Sequence, residues 1–160
     1  MAEAIPLRTL DIDWADLEIA FRDNVSGVKS YLDLETGEVV AIIDERDLDA
    51  DSVAREPERF EDIPGFTREE GLEVLHAFVD ELPPGEQRDE LRSLVGQPGA
   101  LARCMERLAA DVHLFNNYCM FEELCIYERL MLWLAAMGVN ARHPPPAGPT
   151  LFLISSPAAV

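Results

Sequence analysis

Basic residues are scarce in this sequence. Its 160 residues include 13 Lys and Arg against 31 Asp and Glu, which gives a formal net charge of -18. Lys29 is the only lysine, and the arginines are scattered without forming a basic patch. Because phosphate backbones repel so acidic a chain, we expect no direct nucleic-acid binding. The acidity fits three alternatives: a soluble protein, a protein that binds a basic partner, or a mimic of nucleic acid.

Cysteines and long apolar runs are also few. The three cysteines, Cys104, Cys119 and Cys125, sit in apolar helical surroundings without close pairing. This pattern argues against a disulfide scaffold and favours a reducing compartment. No basic signal-peptide region opens the sequence, and no apolar run approaches the roughly 18 residues that span a bilayer. We therefore predict a cytoplasmic protein that does not enter a membrane.

Motifs for catalysis or for cofactor binding are missing. The sequence has no Gly-x-Ser-x-Gly, no phosphate loop, no Gly-x-Gly-x-x-Gly and no paired zinc cysteines. Its histidines, His76, His113 and His143, are far apart in the chain. We predict no catalytic residue, no cofactor and no resident metal, and a non-catalytic protein is favoured over an enzyme.

A β-hairpin is the clearest structural signal. The stretch Tyr31-Leu-Asp-Leu-Glu-Thr-Gly-Glu-Val-Val40 predicts strands over about 28–33 and 38–43. Gly37 suits a type I turn with a G1 bulge, because glycine accepts positive φ. Both faces of the second strand are apolar, so we expect cover on both sides. A third strand could come from residues 5–10 or 151–155.

Helices account for most of the remaining chain. Asp11 or Asp13 can cap a first helix that ends near Asp23, and Thr67-Arg-Glu-Glu70 is a capping box. Further helices are predicted from Thr67 to Leu82 and over about 86–95, 100–110 and 115–137. The predicted fold class is α+β, an antiparallel β-hairpin packed on a bundle of four to five helices. One domain would cover residues 1–140, and a Pro-rich C-terminal arm residues 141–160.

Residues 44–62 form an acidic segment with nine acids. Part of it matches positions 1, 3, 5 and 12 of a calcium loop, namely Asp47, Asp49, Asp51 and Glu58. Three features disagree with that motif: Ser52 replaces the usual glycine, Arg55 sits at position 9, and Pro57 precedes the glutamate. Helix signals are poor here, so the competing interpretation is a solvated acidic linker.

An ordered set of short motifs resembles a bacterial family of unknown function, uncharacterised protein family 0158, over about residues 12–140. The motifs are the hairpin over 31–40, the turn Gly99-Ala100, Phe121, and Trp133-Leu134 before Gly138. Where the family tends to show Gly-x-Gly-Ala-Phe-x-x-Phe, this chain has Gln97-Pro98-Gly99-Ala100-Leu101-Ala102-Arg103-Cys104. Leu101 and Cys104 lie on an apolar helical stripe, which indicates core positions. The resemblance implies no activity, cofactor or site residue.

Three functional hypotheses follow. The first is a non-catalytic interaction or regulatory protein that binds a basic partner through Asp47, Asp49 and Asp51. The second is a small-ligand-binding domain or a metal-assisted enzyme, with a pocket between hairpin and helices. Its carboxylates would be Asp33, Glu38 and Glu122. The third is a homodimer formed through the C-terminal arm.

Overall fold

The computed structural model describes residues 7–23, 27–44, 46 and 48–146. Within these ranges the chain forms helices α1 Trp14–Arg22, α2 Leu48–Arg55, α3 Arg68–Glu81, α4 Glu86–Val95, α5 Ala100–Ala109 and α6 Val112–Ala136. The strands are β1 Arg8–Leu10, β2 Lys29–Asp33, β3 Val39–Ile42, β4 Phe60–Asp62 and β5 Val139–Ala141. The predicted α+β class is confirmed.

A three-stranded antiparallel sheet has the order β3-β2-β4. Leu32 at its centre pairs with Val39 on one side and with Glu61 on the other. The predicted hairpin is therefore present, and its third strand comes from the acidic segment. Residues 8–10 instead pair in parallel with residues 139–141 in a separate two-stranded sheet. The alternative third strand at 151–155 lies outside the described residues.

The helix starts follow the predicted caps. Asp13 accepts a hydrogen bond from the Asp16 backbone N–H at 3.1 Å and caps α1. Thr67 Oγ1 accepts one from the Glu70 N–H at 3.1 Å and caps α3. Each cap satisfies a backbone donor that has no partner within its own helix.

The expectation of a linker without helix over residues 44–62 is wrong for α2, which spans Leu48–Arg55. Asp49 and Asp51 lie in its first turn, and Arg55 lies in its last. Negative charge near the N-terminus and positive charge near the C-terminus both favour the helix dipole. These acids, which are also typical of a solvated linker, thus stabilise the start of a helix.

The described residues divide into two compact units. Unit 1 contains residues 7–66 and 127–146, and unit 2 contains residues 67–126. The prediction of one domain over residues 1–140 did not include this division. Buried side chains in unit 1 include Trp14, Leu17, Leu32, Phe60, Leu130 and Leu134.

Unit 2 has its own hydrophobic core. That core is made of Leu75, Phe78, Val79, Leu91, Val95, Cys104, Leu108, Leu114 and Tyr118. Leu101 packs against this cluster and Cys104 is fully buried within it. Cys104 is therefore a core residue, as its position on the apolar stripe indicated, and Leu101 is partly buried against the same core.

The start of the predicted C-terminal arm belongs to unit 1. Ala141 ends β5, and Pro145 is buried. The Trp14 indole Nε1 donates a hydrogen bond to the His143 carbonyl oxygen at 2.9 Å. Residues 147–160, on which the predicted dimer depends, lie outside the described residues. Of the helices that the structure describes, none has the length and apolar character needed to cross a membrane.

Candidate functional site

Asp33, the last residue of β2, is the only charged side chain that is buried among the described residues, with 4% exposure. Its Oδ1 accepts hydrogen bonds from the backbone N–H groups of Glu35 at 2.9 Å and Thr36 at 3.4 Å. The same oxygen accepts from Arg59 Nε at 2.9 Å, and Oδ2 accepts from Arg59 Nη2 at 2.8 Å. One carboxylate therefore fixes the hairpin turn and holds an arginine from the acidic segment.

Arg59 connects the hairpin turn to the acidic segment. Its Nη1 lies 3.3 Å from Glu35 and 3.2 Å from Glu56, in addition to its two contacts with Asp33. The guanidinium carbon lies 5.2 Å from the ring centroid of Phe60, within the range of a cation–π contact. A guanidinium that faces three carboxylates is fixed in position more firmly than a single surface ion pair could fix it.

This arrangement shifts the titration of both partners. The Arg59 hydrogen bonds hold the pKa of Asp33 at about 2, below its usual 3.8, and this effect outweighs burial, which acts in the opposite direction. The backbone N–H of Glu35 lowers the pKa of Asp33 further. The hydrogen bond to Asp33 raises the pKa of Arg59. Both groups are therefore charged at neutral pH.

A surface pocket of about 440 Å³ lies beside this ion pair. It is lined by Arg8, Glu35, Arg55, Glu56, Pro57, Glu58 and Arg59. Arg8 is held at the hairpin by a hydrogen bond from Nη1 to the Leu34 carbonyl oxygen at 3.3 Å. With three arginines and three glutamates, the lining presents both signs of charge and suits a polar ligand or side chain.

The predicted calcium ligands are placed on different elements. Asp49 and Asp51 are exposed in the first turn of α2, Glu58 is exposed at the pocket, and Asp47 lies outside the described residues. A calcium loop wraps its backbone around the ion, whereas Leu48–Arg55 is helical here. No group of three or more His, Cys, Asp and Glu in the described part of the chain could hold a metal ion. The calcium prediction gains no support.

The carboxylates of the predicted ligand pocket are not equivalent. Asp33 is buried and paired, whereas Glu38 is exposed, and both belong to unit 1. Glu122 is half-buried in unit 2, where it accepts a hydrogen bond from the Tyr118 hydroxyl at 3.0 Å.

Burial raises the pKa of the Cys104 thiol, which favours the unreactive protonated form.

Arg59 is the site residue that sequence reasoning missed. It stands among Glu56, Glu58 and Glu61, so in the sequence it is one of the scattered arginines. A signal was present: Asp33 ends a predicted strand just before a turn, where a charged side chain needs a partner if it is buried. The partner itself, 26 residues away, has no local signature.

Comparison with known proteins yields no match to a family model, to a curated protein or to a solved structure. The resemblance over residues 12–140 therefore stays a prediction, and the site has to be interpreted from its own geometry.

Proposed function

We propose that this protein is a non-catalytic interaction protein that binds a basic partner through the acidic segment, residues 44–62. One observation carries the proposal: every acid of this segment that the structure describes is exposed. These residues are Asp44, Asp49, Asp51, Glu56, Glu58, Glu61 and Asp62. Asp33, the one buried carboxylate among the described residues, is instead neutralised by Arg59.

The helix and the strand within the described part of the segment support this function. α2 and β4 hold four of the seven acids of the segment that the structure describes, and Arg59 joins the segment to the hairpin turn through Asp33. Binding to a surface that is already ordered loses less conformational entropy than folding a linker on contact. The net charge of -18 adds a long-range attraction that accelerates the encounter with a basic protein.

Neutralising α2 tests the proposal. We expect Asp49→Asn/Asp51→Asn to reduce the capture of basic proteins several-fold at low salt, because exposed charges act mainly on association. The matched control is Glu86→Gln/Asp89→Asn, which removes the same charge from the first turn of α4. Quantitative mass spectrometry of captured proteins, repeated across a salt series, measures the effect.

The comparison of the two variants decides the outcome. Equal losses in both would show that only net charge matters, and the assignment of the contact to residues 44–62 would be wrong. Captured proteins that are not enriched in basic sequences would contradict the proposal as a whole. Thermal stability close to that of the wild type in both variants would show that neither result reflects misfolding.

A second candidate function is the binding of a small polar ligand in the pocket beside Arg59. The observation in its favour is the lining itself, which offers arginine and glutamate side chains around about 440 Å³. A ligand that carries both charges fits such a lining better than a simple anion.

A thermal-shift screen of zwitterionic compounds tests this second function. A hit is expected to lose its shift in both Arg55→Gln and Glu58→Gln, since each removes one sign of charge from the lining. Arg103→Gln, an exposed arginine of unit 2, is the control and should retain the shift. A screen without hits would contradict this second function. A hit whose thermal shift is unchanged in both pocket variants would bind elsewhere and would contradict it as well.

A further inference from the structure

We infer that the outer edge of β4 is the docking strand of the acidic segment, and that an extended basic segment of the partner adds to it as a fourth strand. This inference rests on the proposed function and specifies how the partner is recognised. Addition of a strand to an open sheet edge takes its affinity from main-chain hydrogen bonds and its selectivity from side chains.

The backbone pattern shows which groups of β4 are used within the sheet. The Leu34 N–H donates to the Arg59 carbonyl oxygen at 2.8 Å, and the Ile63 N–H donates to the Ser30 carbonyl oxygen at 3.0 Å. In an antiparallel pair such bonds recur at every second residue. Residues 59, 61 and 63 therefore direct their backbone groups toward β2.

The alternate residues direct theirs outward. Phe60 pairs with Asp33, and Asp62 pairs with Tyr31, at the positions between those bonds. The N–H and C=O groups of Phe60 and Asp62 consequently face the outer edge of the sheet. In the part of the chain that the structure describes, β4 pairs with β2 alone, so this edge is open.

Charge identifies the occupant. Glu58, Glu61 and Asp62 are exposed on or beside the open edge. Acids on an edge strand repel a second copy of the same edge, which disfavours self-pairing, and they attract a strand that carries lysine or arginine. The apolar residues 151–154 of this chain carry no charge that could meet these acids. The edge therefore fits an extended basic peptide.

The probe is a capped heptapeptide that alternates lysine with threonine, titrated calorimetrically into the full chain at low salt. Each N-methylation at the alternate residues of the peptide that face the edge should weaken binding about tenfold, because each lost main-chain hydrogen bond removes affinity of that order. N-methylation at the intervening residues should leave affinity unchanged. On binding, amide hydrogen exchange should slow at Phe60 and Asp62.

A variant gives the reciprocal test. Asp62→Pro removes an outward N–H together with one negative charge and leaves the pairing with β2 intact, so we expect a loss of peptide affinity without unfolding, part of which persists at high salt. Glu61→Gln should weaken binding at low salt and have little effect at high salt. The methylation series uses the unaltered protein and decides the question even if Asp62→Pro fails to fold.

The outcomes separate this inference from the proposed function. If the peptide binds, but neither N-methylation pattern changes its affinity and amide hydrogen exchange at Phe60 and Asp62 does not slow, docking at the edge is wrong. Charge-driven binding then stands. If the peptide binds only after deletion of residues 147–160, the chain covers its own edge and the inference also fails. If no basic peptide or protein binds, both proposals fail together.

Discussion

Replacement of Gly37 by alanine is expected to destabilise unit 1 by about 3 kcal/mol. Gly37 has φ of +83°, a conformation that costs an L-residue about 1–2 kcal/mol. An added Cβ would also overlap the backbone carbonyl of Asp11, whose carbon would lie 3.0 Å away. Because the obstacle is backbone, relief requires moving the chain before α1, which adds an overpacking cost of about 1–3 kcal/mol.

Gly27→Ala is the matched control for that substitution. Gly27 has φ of +96°, but nothing lies within 4 Å of the Cβ position, so only the conformational cost applies. Both tryptophans, Trp14 and Trp133, lie in unit 1, and their fluorescence during urea unfolding reports its stability. If the two substitutions destabilised unit 1 equally, the overlap with the Asp11 backbone would add nothing to the cost of Gly37→Ala.

Removal of the Asp33 carboxylate is the second change with a large expected effect. Asp33→Ala removes the acceptor for two backbone N–H groups and two guanidinium donors, and we expect a loss of about 3 kcal/mol. Asp33→Asn keeps an oxygen for the turn but places an NH₂ group against Arg59 Nη2. Urea unfolding followed by tryptophan fluorescence should rank Asp33→Ala as the more damaging substitution.

A double-mutant cycle with Arg59→Met separates the turn from the ion pair. In that background Asp33→Asn should be nearly neutral or stabilising, since it removes a buried charge that has lost its partner. Additive effects of Asp33→Asn and Arg59→Met would show that the two side chains do not interact in solution, contrary to their 2.8 Å contact.

The pH dependence of the same variants provides an independent readout. The folded-state pKa of Asp33 is depressed to about 2 from 3.8, so its stabilisation is complete above the unfolded value. It is lost as the pH falls through about 2, and after allowance for solvent screening we expect it to amount to about 1–2 kcal/mol. Wild type should therefore lose more stability than Asp33→Asn between about pH 5 and pH 2.

Local signals account for what the sequence predicted well. The hairpin turn is encoded within a few residues, because Gly37 is needed where φ is positive. The start of α3 is likewise encoded by Thr67 and Glu70, which are three positions apart and bond directly. Such features depend on residues a few positions apart, so they can be predicted from the sequence.

Long-range pairing accounts for what the sequence did not predict. β4 has three residues, Phe60–Asp62, and two of them are acids, so neither length nor alternation marks a strand. It forms because β2 offers an unpaired edge and because Arg59 neutralises Asp33 across 26 residues. The pocket depends on the same pairing, since Glu35 and Glu58 line it from separate elements.

The hydrogen bond from Trp14 to the His143 carbonyl has a consequence for synthesis of the chain. Its two residues are 129 positions apart, and β1 likewise pairs with β5. A ribosome completes all of residues 67–126 before it adds the strand that β1 requires. At about 5–20 residues per second, β1 waits about 6 to 26 seconds for its partner strand. The described residues of unit 2 are contiguous in the chain and can form their core during this interval, so unit 1 is completed last.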